Sequence, residues 1–260
     1  MGEVRERHFT MSVSLRQRIK KHSMAQAGHL AVKDVRIGLT YTAVMLEDGS
    51  VGVAYSFLKR GVRGCKVFRQ LSPLAGRRAT ELLALFDSKN TLESAVALAT
   101  SNAITNRPEK GYLVGDVLSY IQFDPSDRVA MVGHFAPLVP LIKERVSELR
   151  IFEETSRASG ELLPASQAGS WLPKCQVALI TATSIINNTT DALLEAAAHC
   201  REIAILGAST PMLPEAFDDM PVTLLSGVVV THPGDMLRIV SEGGGTRLFR
   251  GCTQKVNLRL

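Results

Sequence analysis

Aromatic residues make up only 5% of the chain, and tryptophan occurs once. A core with so few rings must be filled by Leu, Val, Ile and Ala. That suits helices packed on a parallel sheet whose strands are buried on both faces. Scarce aromatics also weigh against a nucleic-acid partner, whose surface would interleave stacking rings with its cations. The four cysteines, Cys65, Cys175, Cys200 and Cys252, include no close pair. The spacing shows neither a zinc motif nor a disulfide framework, so reduced thiols in cytoplasm and no tightly held structural metal are expected. No apolar run is longer than a strand, and residues 1-30 hold none resembling a secretory signal. No membrane partner is expected. G-x-S-x-G, P-loop and H-E-x-x-H patterns are absent, which argues against the corresponding reaction classes.

What is present is ordinary globular composition: 260 residues, 45% apolar and 21% charged. That length suits one large domain or two modest ones. The net charge of +5 is concentrated in two places. Arg5, Arg7, Arg16, Arg18, Lys20 and Lys21 crowd the N-terminal stretch, and Lys59, Arg60, Arg63, Lys66 and Arg69 form a second cluster. They read as a solvated helix face and a basic loop, with an anionic ligand near the second cluster as the functional alternative.

Two patterns divide the chain. Residues 1-110 predict a small α+β domain. A helix is expected from Ser12 to Leu30, with Leu15 and Ile19 one turn apart. A β-hairpin follows, its first strand running from Val35 to Leu46, its turn at Glu47-Asp48-Gly49-Ser50 and its second strand at Val51 to Tyr55. Two helices, 77-86 and 91-104, complete the block, the second capped by Thr91 and broken at Asn106-Arg107-Pro108.

Residues 111-260 predict a Rossmann-like α/β domain with a mostly parallel sheet. Strands are expected at Arg128-Gly133, Arg150-Glu153, Gln176-Thr181, Glu202-Gly207 and Val222-Val230. Helices fall at 137-149, 189-199 and 233-241, with a short one near Pro214-Phe217. Such alternation implies right-handed crossovers, with residues 1-110 packed against the carboxyl edge of the sheet.

Ligands of open parallel sheets bind beyond the carboxyl ends of the strands, so the candidate site is read there. Gly133 closes the first strand, but the chain has only one glycine of the dinucleotide fingerprint, and a pyrophosphate cradle is not expected. His134 beside it, Glu153 and the polar residues of the first domain are the groups that could act as acid, base or nucleophile. Glu153 stands twenty residues beyond Gly133, where an acidic side chain binds ribose hydroxyls in many such domains; a solvated acidic turn is the plain alternative. Thr181, Thr183 and Asn187 belong to a run dense in hydroxyls and amides, suited either to a polar ligand or to capping the next helix. Ser209 follows the fourth strand. Gly244 and Gly245 lie in a triple glycine that permits close backbone approach or simply ends a helix. Asn102, on an otherwise small and apolar helix, must find a partner: its own helix end or a ligand in the cleft.

The runs Ile180-Thr181-Ala182-Thr183-Ser184-Ile185-Ile186-Asn187-Asn188-Thr189 and Leu206-Gly207-Ala208-Ser209-Thr210-Pro211 resemble the DUF364 family, as do Leu225-Ser226-Gly227-Val228 and Gly243-Gly244-Gly245-Thr246. Leu98-Ala99-Thr100-Ser101-Asn102-Ala103 is similar to the companion DUF4213 domain, which has an enolase N-terminal-like fold. The resemblance covers nearly the whole chain. It implies an interdomain site and a connection to heavy-metal chelation. The expected function is binding of a small polar ligand, nucleotide-, pterin- or chelator-like, between the domains. Condensation, hydrolysis or group transfer is one form this could take; a non-catalytic binding or sensing protein for a metal chelate is the other. No particular cofactor is indicated, and self-association stays open.

Overall fold

The computed structural model describes residues 13–57, 68, 71–154 and 160–260. The second basic cluster and Cys65 lie outside the described residues.

Helix α1 (Leu15–Ala27) leads into three antiparallel strands, β1 (Val32–Ile37), β2 (Tyr41–Leu46) and β3 (Val51–Tyr55), in that order. The single first strand expected over Val35–Leu46 is divided. Gly38 turns the chain back, its N–H donating to the Tyr41 carbonyl at 2.9 Å. The break is tertiary in origin: a Cβ on Gly38 would lie 2.1 Å from the carbonyl oxygen of Val240, in the second domain.

Helices α2 (Ala79–Leu83) and α3 (Thr91–Thr105) follow. The cap of α3 is Asn90, one residue before the expected Thr91; its side chain accepts from Leu92 N–H at 2.9 Å. Every residue of α3 from Ser94 to Thr105 is buried, which fits a helix apolar on all sides and packed on all sides. Its few hydroxyls are satisfied locally: Thr100 donates to the Val96 carbonyl and Thr105 to that of Ser101. Gly52 of β3 seats the sheet on this helix, its Cα so close that a Cβ would lie 2.1 Å from Ala103 N.

The second domain begins at the two-residue β4 (Leu113–Val114). Then come β5 (Arg128–Val132), α4 (Val139–Lys143), β6 (Glu148–Glu153), β7 (Leu162–Pro164), α5 (Ala168–Trp171) and β8 (Val177–Thr181). The rest is α6 (Thr183–Ile186), α7 (Thr190–Ala196), β9 (Glu202–Leu206), β10 (Leu224–Val230), α8 (Pro233–Ser241) and β11 (Thr253–Arg259). The helix expected over 137–149 is only five residues long, because the chain enters β6 at Glu148. Strand β11, which the sequence pattern did not mark, pairs antiparallel with β10 over its full length.

The sheet runs β4-β11-β10-β9-β8-β5-β6-β7, and the six strands from β10 to β7 are parallel. The chain starts at β5, builds outward through β6 and β7, then returns to β8 and builds the other way. This is the doubly wound order, with its switch point between β5 and β8. Alternate residues feed two faces. Val129, Met131, Val177 and Leu179 meet Ile142 of α4 on one. Ala130, Val132, Ala178 and Ile180 join the cluster that holds α3, α5 and α7 on the other.

The domains are tied by backbone-directed polar contacts. Asn106, which ends α3, donates to the carbonyls of Thr210 and Val228 and accepts from Met212 N–H at 2.8 Å. Leu15 N–H donates to Asp191 at 3.1 Å.

Candidate ligand-binding cleft

A cleft of about 950 Å³ opens at the β5/β8 switch point and is closed over by the first domain. Its floor starts with Gly133, at φ 93°, a conformation natural to glycine. A Cβ there would stand 2.8 Å from the Cβ of Thr181, so the glycine lets the ends of β5 and β8 meet. The chain then turns, and the N–H of His134 donates to the Glu153 carboxylate at 2.8 Å. The N–H of Glu154 reaches the other carboxylate oxygen at 2.8 Å. Glu153 is thus held by two amides, with half of its roughly four acceptor positions uncommitted. The expected acidic residue at the end of the second strand therefore lines the cleft, as do Gly133, His134, Thr181, Thr183 and Asn187.

The hydroxyl-rich run serves mostly itself. Thr181 and Thr183 share a hydrogen bond at 3.0 Å, Ser184 donates to the Thr181 carbonyl, and Thr189 donates to the Asn187 carbonyl oxygen at 2.8 Å. Ser184 and Thr190 hydroxyls pair at 2.7 Å. The amide nitrogen of Asn187 has no partner among the described residues. The His134 imidazole is likewise on the exposed rim, with no partner among the described residues.

Four other sequence candidates stand outside the lining. Asn102 is 1% exposed; its amide donates to the carbonyls of Val53 and Ser209, joining the two domains rather than capping its own helix. The Ser209 hydroxyl accepts from Tyr55 N–H at 2.9 Å and so positions a cleft residue from behind. Gly244 and Gly245 end α8 at the Gly38–Thr40 turn, where Thr40 donates to the Gly244 carbonyl at 2.8 Å. Their part is in docking that turn.

The first domain contributes an aromatic wall that strand-end reasoning missed. Tyr41 and Tyr55, paired across β2 and β3, meet edge to face at 5.7 Å, and Tyr55 meets Phe57 at 5.1 Å. Behind them Phe249 abuts Tyr41 at 4.9 Å. Burial pushes the Tyr41 phenol far above its ordinary range. The sequence signal was one residue out: the Glu47–Ser50 turn would set Tyr41 opposite Ser56, whereas Leu46 N–H donates to the Ser50 carbonyl and shifts the register to Tyr41 opposite Tyr55.

The charged groups among the described lining are Glu153 and Glu154. Among the described residues no three His, Cys, Asp or Glu side chains gather closely enough to hold a metal ion. These residues do not fit a protein-ligated metal. No helix among the described residues is long and apolar enough to cross a membrane.

The fold has counterparts. A crystal structure of a DUF364 protein of unknown function from Pyrococcus horikoshii is 27% identical and superposes with a TM-score of 0.82, covering 95% of this chain and 100% of that one. Another, from Desulfitobacterium hafniense, is 23% identical with a TM-score of 0.80, covering 95% and 98%. An uncharacterized protein of Methanocaldococcus jannaschii is 22% identical over 238 residues, 88% of this chain and 90% of its own. The DUF4213 profile matches residues 21–105 and that of DUF364 residues 116–259, both described as "Putative heavy-metal chelation". With its doubly wound sheet and the cleft at its switch point, the chain belongs to the DUF364 family.

Proposed function

We propose that the cleft binds a small organic molecule with a planar, hydroxyl-bearing body, nucleoside- or pterin-like in shape. The observation that carries this is Glu153: an acceptor held by two backbone amides at the switch point, facing an aromatic wall. A hydroxyl pair on the ligand takes the two free acceptor positions, and the planar body lies against Tyr55 and Phe57. The two carboxylates of the described lining favour a neutral or cationic body beside them. The family's description connects such a molecule to heavy-metal chelation, and a metal entering here would arrive with donors of its own. Binding or sensing is the reading put forward: of the two acid–base candidates, Glu153 is committed to two backbone amides and His134 stands on the exposed rim.

The test is calorimetric titration with adenosine and with neopterin. Saturable binding of one of them is expected. Glu153→Gln should weaken it about tenfold, the scale of a charge-assisted hydrogen bond, and lower the melting temperature only slightly, since the amide oxygen keeps one of the two backbone N–H bonds. Binding of neither probe, or equal binding by the variant, overturns the reading.

A further inference from the structure

Hydrogen-bonding capacity is divided across the cleft. At the end of β6 it is acceptor capacity, since Glu153 keeps part of its carboxylate uncommitted. Beyond β8 it is donor capacity. Strands β6, β5 and β8 are neighbours in register, so Glu153 and Thr181 end the outer two about 10 Å apart. Helix α6 carries the chain from there to Asn187, whose N–H donates to the Thr183 carbonyl at 3.3 Å. The side chain is fixed as well: its oxygen accepts from the Thr189 hydroxyl at 2.8 Å. That leaves the N–H groups of the amide without a partner among the described residues, on a residue that lines the cleft.

The aromatic wall supplies further donors. Of the four tyrosines, Tyr112 and Tyr120 lie outside the cleft lining and donate to the carbonyls of Thr105 and Val114 at 2.9 and 2.8 Å. Tyr41 and Tyr55 line the cleft, and neither hydroxyl has a partner among the described residues. Packing fixes both rings, Tyr41 between Tyr55 and Phe249, and Tyr55 against Phe57. Burial, and Tyr55 beside it, keep the Tyr41 phenol protonated, so its O–H remains a donor. A hydroxyl withdrawn from water and left unpaired is costly, and a ligand atom that accepts from it removes that cost.

We propose that the cleft selects a heterocycle whose edge carries a ring carbonyl beside an unprotonated ring nitrogen, as oxopurines and oxopteridines do, with Tyr41 and Asn187 donating to that edge. This rests on the reading of the cleft as the site of a planar, hydroxyl-bearing body. Where an oxopurine shows two acceptors, an aminopurine shows one acceptor and one donor. In the amino form an N–H therefore faces the donors of the site, and one of them stays unpaired.

The experiment is calorimetric titration with two matched pairs: inosine against adenosine, and 6-hydroxymethylpterin against 2,4-diamino-6-hydroxymethylpteridine. Within whichever pair binds, the oxo member is expected to bind about tenfold tighter. Equal affinities, or a preference for the amino member, overturn the inference and leave the cleft reading standing. Binding by neither pair overturns both. Two variants assign the preference to its residues. Asn187→Asp still accepts from Thr189 but offers no N–H, and should turn the preference towards the amino member. Tyr41→Phe keeps the ring and its packing, and should cut the preference about three- to tenfold. Loss of stability alone would weaken both members of a pair alike, so the ratio of affinities is the readout. A ratio untouched by both variants overturns the inference as well.

Discussion

The side-chain amide of Asn102 donates across the domain boundary to the carbonyl of Ser209, at 3.1 Å. The same nitrogen holds Val53 at 2.9 Å, so one buried group fastens β3 to the loop after β9. Asn102→Ala leaves two buried carbonyls short of a donor and should cost about 1–3 kcal/mol. Asn102→Asp sets a carboxylate against both and should cost more. Urea denaturation measures each; an Asp variant as stable as the parent would refute the strut.

Two glycines should behave oppositely. In Gly52→Ala the new Cβ would lie 2.1 Å from Ala103 N and 2.2 Å from the Ala99 carbonyl oxygen, both helix backbone. The sheet must lift off α3, and a loss of about 3 kcal/mol or failure to fold is expected. Gly234, in the first turn of α8, has nothing within 4 Å of the added atom. Gly234→Ala should raise stability by about 0.5–1 kcal/mol. Thermal melts of the pair check this, and a tolerated Gly52→Ala contradicts the packing described.

Alkali should loosen the protein. Burial pushes the Cys200 thiol from 9.0 to about 12, and the Tyr112 phenol, donor to the Thr105 carbonyl, from 10.0 to about 12. In the unfolded chain both ionise near their ordinary values, so the folded state binds more protons throughout that window. Stability is full below about pH 9 and falls as pH rises towards 12. Urea midpoints at about pH 8 and about pH 10.5 should differ accordingly, and less in Cys200→Ala. A midpoint indifferent to pH here would count against buried, protonated groups.

Phe249 is 2% exposed and backs Tyr41 at a 69° ring angle. Phe249→Ala should cost about 3–5 kcal/mol and release Tyr41 from the wall. The tyrosine fluorescence and the adenosine affinity should both change; unaltered affinity at the expected stability loss means the wall does not depend on this support.

Much of this protein was legible from residue order alone. Short apolar runs such as Val129–Val132 and Val177–Ile180, separated by helical segments, encode strands buried on both faces, and that pattern is local. The strand-end rule then reached Gly133, Glu153, Thr181 and Asn187, because a strand's terminus is read from the same pattern. Strand β11 escaped because Thr253–Arg259 is mostly polar, and only its partner β10 makes it a strand. The Gly38 turn, the placing of Gly244 and the bond from Asn102 to Ser209 were set by docking, where one domain's backbone meets the other's at distances no sequence interval records. The aromatic wall has the same origin. Periodicity determines which face of an element is apolar; which polar groups finally share a cavity is decided when those faces are buried against one another.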